Sequence, residues 1–141
     1  MANATMDKFG YPGSLVREYE HWVVLLRPSQ VTLGSLVLAA KSEATAFGNL
    51  PREAHAELAD ATAYIERILS EAISYQRINY LMLMMVDPHV HFHVFPRYEG
   101  VRSFESVTIC DAGWPGPPDL KSGQAIPASV FERLKLQLSG K

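Results

Sequence analysis

The chain has a single cysteine, Cys110, among 141 residues, so an intrachain disulfide is excluded and a reducing compartment fits. It has no long hydrophobic run: the longest, Tyr80 to Val86, is far below the roughly 20 residues that span a bilayer. Met1 to Gly10 lacks the apolar core of a secretion signal, which makes a cytoplasmic protein free of membranes the expectation. An excess of one charge is missing too. Thirteen basic residues against fifteen acidic ones, with a net charge of -2, leave no basic footprint for a nucleic-acid polymer. A small anionic ligand at a local site remains compatible with that balance. There is no internal repeat and no low-complexity tract. With 48% hydrophobic residues, the expectation is one domain over residues 1–141.

Periodicity then orders the chain. Residues 1–12 are polar and expected to be flexible. Glu20 to Leu26 reads as a strand ended by Arg27-Pro28-Ser29, and Gly34 to Ala39 as a second strand able to pair with it as an antiparallel hairpin. Pro51 suits a first helical turn, and Leu58, Ala61, Ile65, Ile68, Leu69 and Ala72 follow at helical spacing, which predicts a helix from Pro51 to about Ser74. Ile78 to Val86 reads as a buried strand, turned by Asp87-Pro88 into a further strand that should pair with it antiparallel. Residues 99–124 have the Gly/Pro-rich composition of a long loop, and a last helix is expected from about Pro127 with Val130, Phe131, Leu134 and Leu138 on one face. This order predicts an α+β fold: an antiparallel sheet with one long helix packed on it and a C-terminal helix.

Three of the five histidines stand in His89-Val90-His91-Phe92-His93-Val94-Phe95-Pro96-Arg97. A period of two is strand geometry, which puts His89, His91 and His93 on one face and Val90, Phe92 and Val94 on the other. Neighbouring imidazoles would then lie about 6.6 Å apart along the strand. A shared metal is one reading, since imidazole is a common ligand, but the outer pair would be about 13 Å apart at Cα and no cysteine or close carboxylate completes a tetrahedron. Ordinary strand histidines are a second reading. The third is a phosphate site with covalent catalysis: neutral imidazole is a nucleophile near pH 7, and neighbouring imidazoles can donate to phosphate oxygens and to a leaving group.

The run His89-Val90-His91-Phe92-His93-Val94-Phe95 resembles the motif of the histidine-triad family, in which three histidines alternate with apolar residues. Ile78-Asn79-Tyr80, Pro88 and Pro96-Arg97-Tyr98 are similar to its bacterial hydrolases, of the diadenosine polyphosphate hydrolase type. Trp22 to Leu38 resembles the family's paired pocket strands, so about residues 15–100 are covered. The resemblance implies hydrolysis or transfer at the α-phosphate of a dinucleoside polyphosphate or nucleotidyl conjugate, through a nucleotidyl-histidine intermediate. It implies His91 as the nucleophile, His93 as donor to the phosphate or bridging oxygens, the carbonyl of His89 as the group that orients His91, and the His89 side chain as support. It also implies a homodimer and no required cofactor, with Mg²⁺ entering only on a polyphosphate substrate.

Two positions depart from that pattern. Ser35 stands where many relatives carry a fourth histidine, and Met85 where several carry an amide, which leaves a nucleotide-binding regulatory module with little turnover as an alternative. A histidine-metal protein is the other. Arg27, Gln30, Thr32, Ser35 and Arg97 are the remaining candidates for substrate binding, and no residue is assigned to a metal. Asp87 has two readings, orienting an imidazole or capping the turn, as does Trp114, closing over a ligand or partner or packing on the sheet.

Overall fold

A computed structural model describes residues 2–140. Seven strands and three α-helices alternate in the order α1 (Ala4–Lys8), β1 (Leu15–Glu18), β2 (Trp22–Leu26), β3 (Leu36–Ala40), α2 (Arg52–Ile73), β4 (Arg77–Leu81), β5 (His91–Arg97), β6 (Val101–Phe104), β7 (Val107–Cys110) and α3 (Ala128–Leu138). The first five strands form one antiparallel sheet ordered β1-β2-β3-β5-β4, and β6 and β7 form a separate hairpin. The expected α+β class, the β2–β3 and β4–β5 pairings and both long helices are present. No helix among the described residues is long and apolar enough to cross a membrane.

The two faces of the sheet follow from alternation along each strand. Trp22, Val24, Leu26, Leu36, Leu38, Ala40 and Val94 form one core with Ile65, Leu69 and Ile73 of α2 and with Val130, Leu134 and Leu138 of α3. Helix α2 holds its shape by ordinary means. Pro51 stands at its N-cap with φ -65°, Glu53 lies in its first turn, and it stops where Ser74 enters the left-handed region at φ 55°. The indole of Trp22 donates to the carbonyl of Ala54 at 2.7 Å, fastening this helix to the middle of the sheet.

Val23, Leu25, Val37 and Ala39 form the opposite face, and the N-terminal segment covers them. Expected to be flexible, residues 1–12 instead supply α1, whose Met6 and Phe9 are buried against those four side chains. Asn3 caps this helix, accepting from the Met6 amide at 2.9 Å while its own amide donates to the carbonyls of Ala40 and Ser42. Four polar or charged residues in the first ten conceal two apolar side chains three apart. That pair buries the far face of the sheet.

Three further expectations are corrected. Residues 99–124 are not loop throughout, because β6 and β7 lie within them, with Val107 and Ile109 buried in the core. The Tyr98 hydroxyl anchors this hairpin: it accepts from the Leu33 amide at 2.8 Å and donates to the Ile109 carbonyl at 3.0 Å, and burial pushes its pKa up to about 12. Strand β1 was not foreseen, since Leu15 to Glu18 shows only one fully buried apolar position. The strand expected over Ile78–Val86 ends at Leu81, opposite His93, and the turn expected at Asp87-Pro88 is a longer connection running to Val90.

Candidate active site

Strand β5 begins only where its neighbours begin to pair with it. The last β3 pair is Ala39 with His91 and the last β4 pair is Leu81 with His93, so β5 begins at His91 and His89 lies ahead of it. His91 and His93 share a face, as the two-residue period predicts, with ring centroids 5.0 Å apart in a T-shaped arrangement. The expectation that all three imidazoles line one face fails at His89. Its ring turns aside, Nε2 lying 2.8 Å from the Glu43 carboxylate and Nδ1 3.3 Å from the Thr5 hydroxyl.

What His89 gives the site is its backbone. His91 Nδ1 lies 2.7 Å from the His89 carbonyl oxygen. A carbonyl only accepts, so Nδ1 carries the hydrogen and, in the neutral ring, Nε2 carries the lone pair. His91 is buried and lines a cavity of about 230 Å³ together with His93, Phe9, Lys8, Arg27, Asp87 and the segment Leu83 to Val86. Phe9 packs on both rings, its centroid 6.0 Å from His91 and 5.6 Å from His93. Phe95 lies parallel to His93 at 6.1 Å. Burial above all, then the neighbouring His91 and Arg27, lower the His93 pKa to about 4, so this ring is neutral at pH 7.

Two cationic side chains, Lys8 and Arg27, line the cavity beside the two imidazoles. Lys8 is matched by Asp87 at 2.9 Å. Arg27 leaves β2 on the histidine face, its guanidinium 5.8 Å from the Phe95 ring, and burial lowers its pKa. One side of the rim is apolar: Leu83, Met85 and Val86 are all exposed, the last two by more than four-fifths. An enclosure of this kind can hold an anion against neutral and cationic donors while keeping a ring nitrogen free to attack it.

The other sequence candidates lie elsewhere. Gln30, Thr32 and Ser35, expected to touch substrate, are wholly buried and hold together the β2–β3 connection. Gln30 accepts from the Gly34 and Ser35 amides and donates to the Arg27 and Ser35 carbonyls, while the Ser35 hydroxyl accepts from the Thr32 amide and donates to the Thr32 carbonyl. The reason is local: a buried turn must satisfy its own backbone, and these side chains do so. Gly34 adopts φ +90° in that turn with Leu69, Ile73 and Pro96 close by, a conformation and a space that suit no side chain. Arg97, also expected at the phosphate, is buried in a bidentate pair with Asp111 at 2.7 and 3.0 Å, and donates besides to Asn79 and the Gly116 carbonyl. Trp114 lies half-buried beside that pair, and Asp87 serves Lys8 rather than an imidazole. Lys8 and Phe9 were missed. The signal that could have found them is Asn3 as an N-cap with Met6 and Phe9 spaced for one helix face.

Known structures match this arrangement over nearly the whole chain. A histidine triad protein from Sinorhizobium meliloti superposes with a TM-score of 0.78 at 18% identity, covering 99% of this chain and 95% of its own. One from Bradyrhizobium japonicum gives 0.76 at 17% identity, covering 100% and 96%. A hypothetical histidine triad nucleotide-binding protein from Sulfolobus tokodaii gives 0.73 at 18% identity, covering 96% and 87%. No family model matches the sequence. No curated protein matches it either. The likeness is one of architecture: this chain has the histidine-triad fold.

Proposed function

We propose that the protein is a nucleotide hydrolase or nucleotidyl transferase acting at the α-phosphate of a dinucleoside polyphosphate or nucleotidyl conjugate. The observation that carries this reading is the 2.7 Å contact of His91 Nδ1 with the His89 carbonyl, which puts the lone pair of the neutral ring on Nε2 in a buried side chain that lines the cavity. His91 Nε2 attacks phosphorus, a P–N bond forms, and the bond from phosphorus to the leaving oxygen or nitrogen breaks, the leaving group taking up a proton. Water then attacks the same phosphorus, the P–N bond breaks, the lone pair returns to Nε2, and the proton that the water gives up passes to solvent, replacing the one the leaving group took from it. In a transfer reaction an acceptor hydroxyl takes the place of water. His93, neutral at pH 7, is placed to hydrogen-bond a phosphate oxygen, and Lys8 and Arg27 offset the charge that grows on the phosphoryl group. The step uses side chains alone; Mg²⁺ would enter with a polyphosphate substrate.

The two-step route leaves a trace. Brief incubation with a dinucleoside polyphosphate or a nucleoside phosphoramidate, acid-free quenching and peptide mass analysis should reveal a nucleotidyl adduct on the peptide that holds His91. His91→Ala should abolish both adduct and turnover while nucleotide affinity changes by less than about tenfold, because the transition-state contribution is lost and little ground-state contact is. Turnover by His91→Ala at a rate near that of the unaltered protein would overturn the assignment. The fold's resemblance also leads us to propose a homodimer, with β4, one of the sheet's two edge strands, as the strand that pairs.

A further inference from the structure

Buried polar atoms without a partner are scarce in folded proteins, and each marks a place where something else is meant to bind or where energy is lost. Among the described residues two side-chain nitrogens are in that condition, His93 Nδ1 and Arg27 Nε. His93 lies on β5 and Arg27 just past the end of β2, and both side chains line the same cavity of about 230 Å³. His93 has its place beside the reacting phosphate under the function proposed above. Arg27 has there only a general part, offsetting charge, and no oxygen of its own to bind. No carboxylate among the described residues pairs with it, the one hydrogen bond of its guanidinium runs from Nη1 to the Ser29 carbonyl at 2.7 Å, and the Phe95 ring flanks it. The neighbouring cations are committed: Lys8 to Asp87, Arg97 to Asp111.

Resting on that reading of the site, we infer that Arg27 forms a subsite for a second phosphate group of the same nucleotide, so that the protein selects substrates with two phosphates over those with one. The chemistry is that of a guanidinium fork, whose fixed donors match phosphate oxygens in pairs and whose partial burial strengthens the contact. Its place decides what the fork reads. Side chains at His91, His93 and Phe95 follow one another along the same face of β5, and Arg27 meets that row at Phe95, beyond His93 from the nucleophile. The guanidinium thus stands one side chain past the group that holds the reacting phosphate, within reach of a neighbouring anion. That anion is either the next phosphate of a 5′-polyphosphate or a phosphate borne on the ribose.

Equilibrium binding to His91→Ala separates this inference from the catalytic one, since no turnover is involved. AMP, ADP, adenosine 3′,5′-bisphosphate, orthophosphate and pyrophosphate are the probes, the last pair removing any dependence on the base. At least one two-phosphate ligand should bind about tenfold more tightly than its one-phosphate counterpart, an advantage that Arg27→Gln removes and Arg27→Lys partly keeps. ADP and pyrophosphate gaining together would place the second group on the phosphate chain; the bisphosphate gaining alone would place it on the ribose. Equal affinity for one and two phosphates, or an advantage that survives in a folded Arg27→Gln protein, overturns the subsite. A missing adduct in the preceding experiment would strike at His91 and leave this result standing.

Discussion

The two histidines on β5 look alike in sequence, and their surroundings make them different reagents. His91 is held by one ring nitrogen on a carbonyl. His93 has a buried nitrogen with no internal partner and a pKa lowered to about 4, mainly by burial. The sign of its effect on stability follows. A histidine in the unfolded chain takes up its proton near pH 6.5, whereas folded His93 does so near 4, so between those values the unfolded state binds more protons. This residue's contribution is therefore fully present above about pH 6.5 and is lost as the pH falls toward 4. Histidine proton NMR should show the His93 resonance unmoved from pH 8 to 5, with its inflection near 4; an inflection near 6.5 would mean a ring open to solvent. The spacing of the histidines disclosed that two of them share a face. It could not disclose that His89 acts through its main chain, because that depends on where β3 and β4 stop pairing with β5.

Among the elements, α1 departs most from expectation. Five residues long, it could not persist alone, since a first helical turn costs more than so short a run returns. It persists because Met6 and Phe9 cover the sheet face that carries His91 and His93. Phe9→Ala should lower stability by about 3 kcal/mol, the range for losing a buried aromatic ring, and should reduce adduct yield as well, with Phe9→Leu restoring most of both. A denaturant melt that moves by less than about 0.5 kcal/mol would show that the segment is not needed to close that face. Helices α2 and α3 were legible because long amphipathic periods and prolines at their starts leave one reading. Strand β1 and the β6–β7 hairpin were not. Four-residue strands with at most two buried positions carry too little alternation to stand out from a Gly/Pro-rich background, and only their partners define them.

At the scale of the whole molecule, the fold class could be read from the order of long elements and the candidate site from a nine-residue motif, while most of the other side chains that border its cavity could not. Gln30, Thr32, Ser35 and Arg97 lie near the motif by sequence or by analogy, yet three-dimensional packing commits them to a turn and to Asp111. Lys8 stands far from the motif in sequence and borders the cavity. Sedimentation velocity at micromolar concentration should find a species of twice the 15.7 kDa chain mass, as the proposed homodimer requires; a sole species of chain mass would dismiss it. The contacts between α1 and the loop ahead of β5, Thr5 with His89 and Lys8 with Asp87, join residues 84 and 79 positions apart. At a ribosomal rate of about 5–20 residues per second, the first helix emerges some 4–16 seconds before the loop that holds it is synthesised. Its apolar pair must stay shielded or unaggregated through that interval, so the chain's earliest residues are among the last to find their place, and the cavity is completed only when nearly all the sheet has formed.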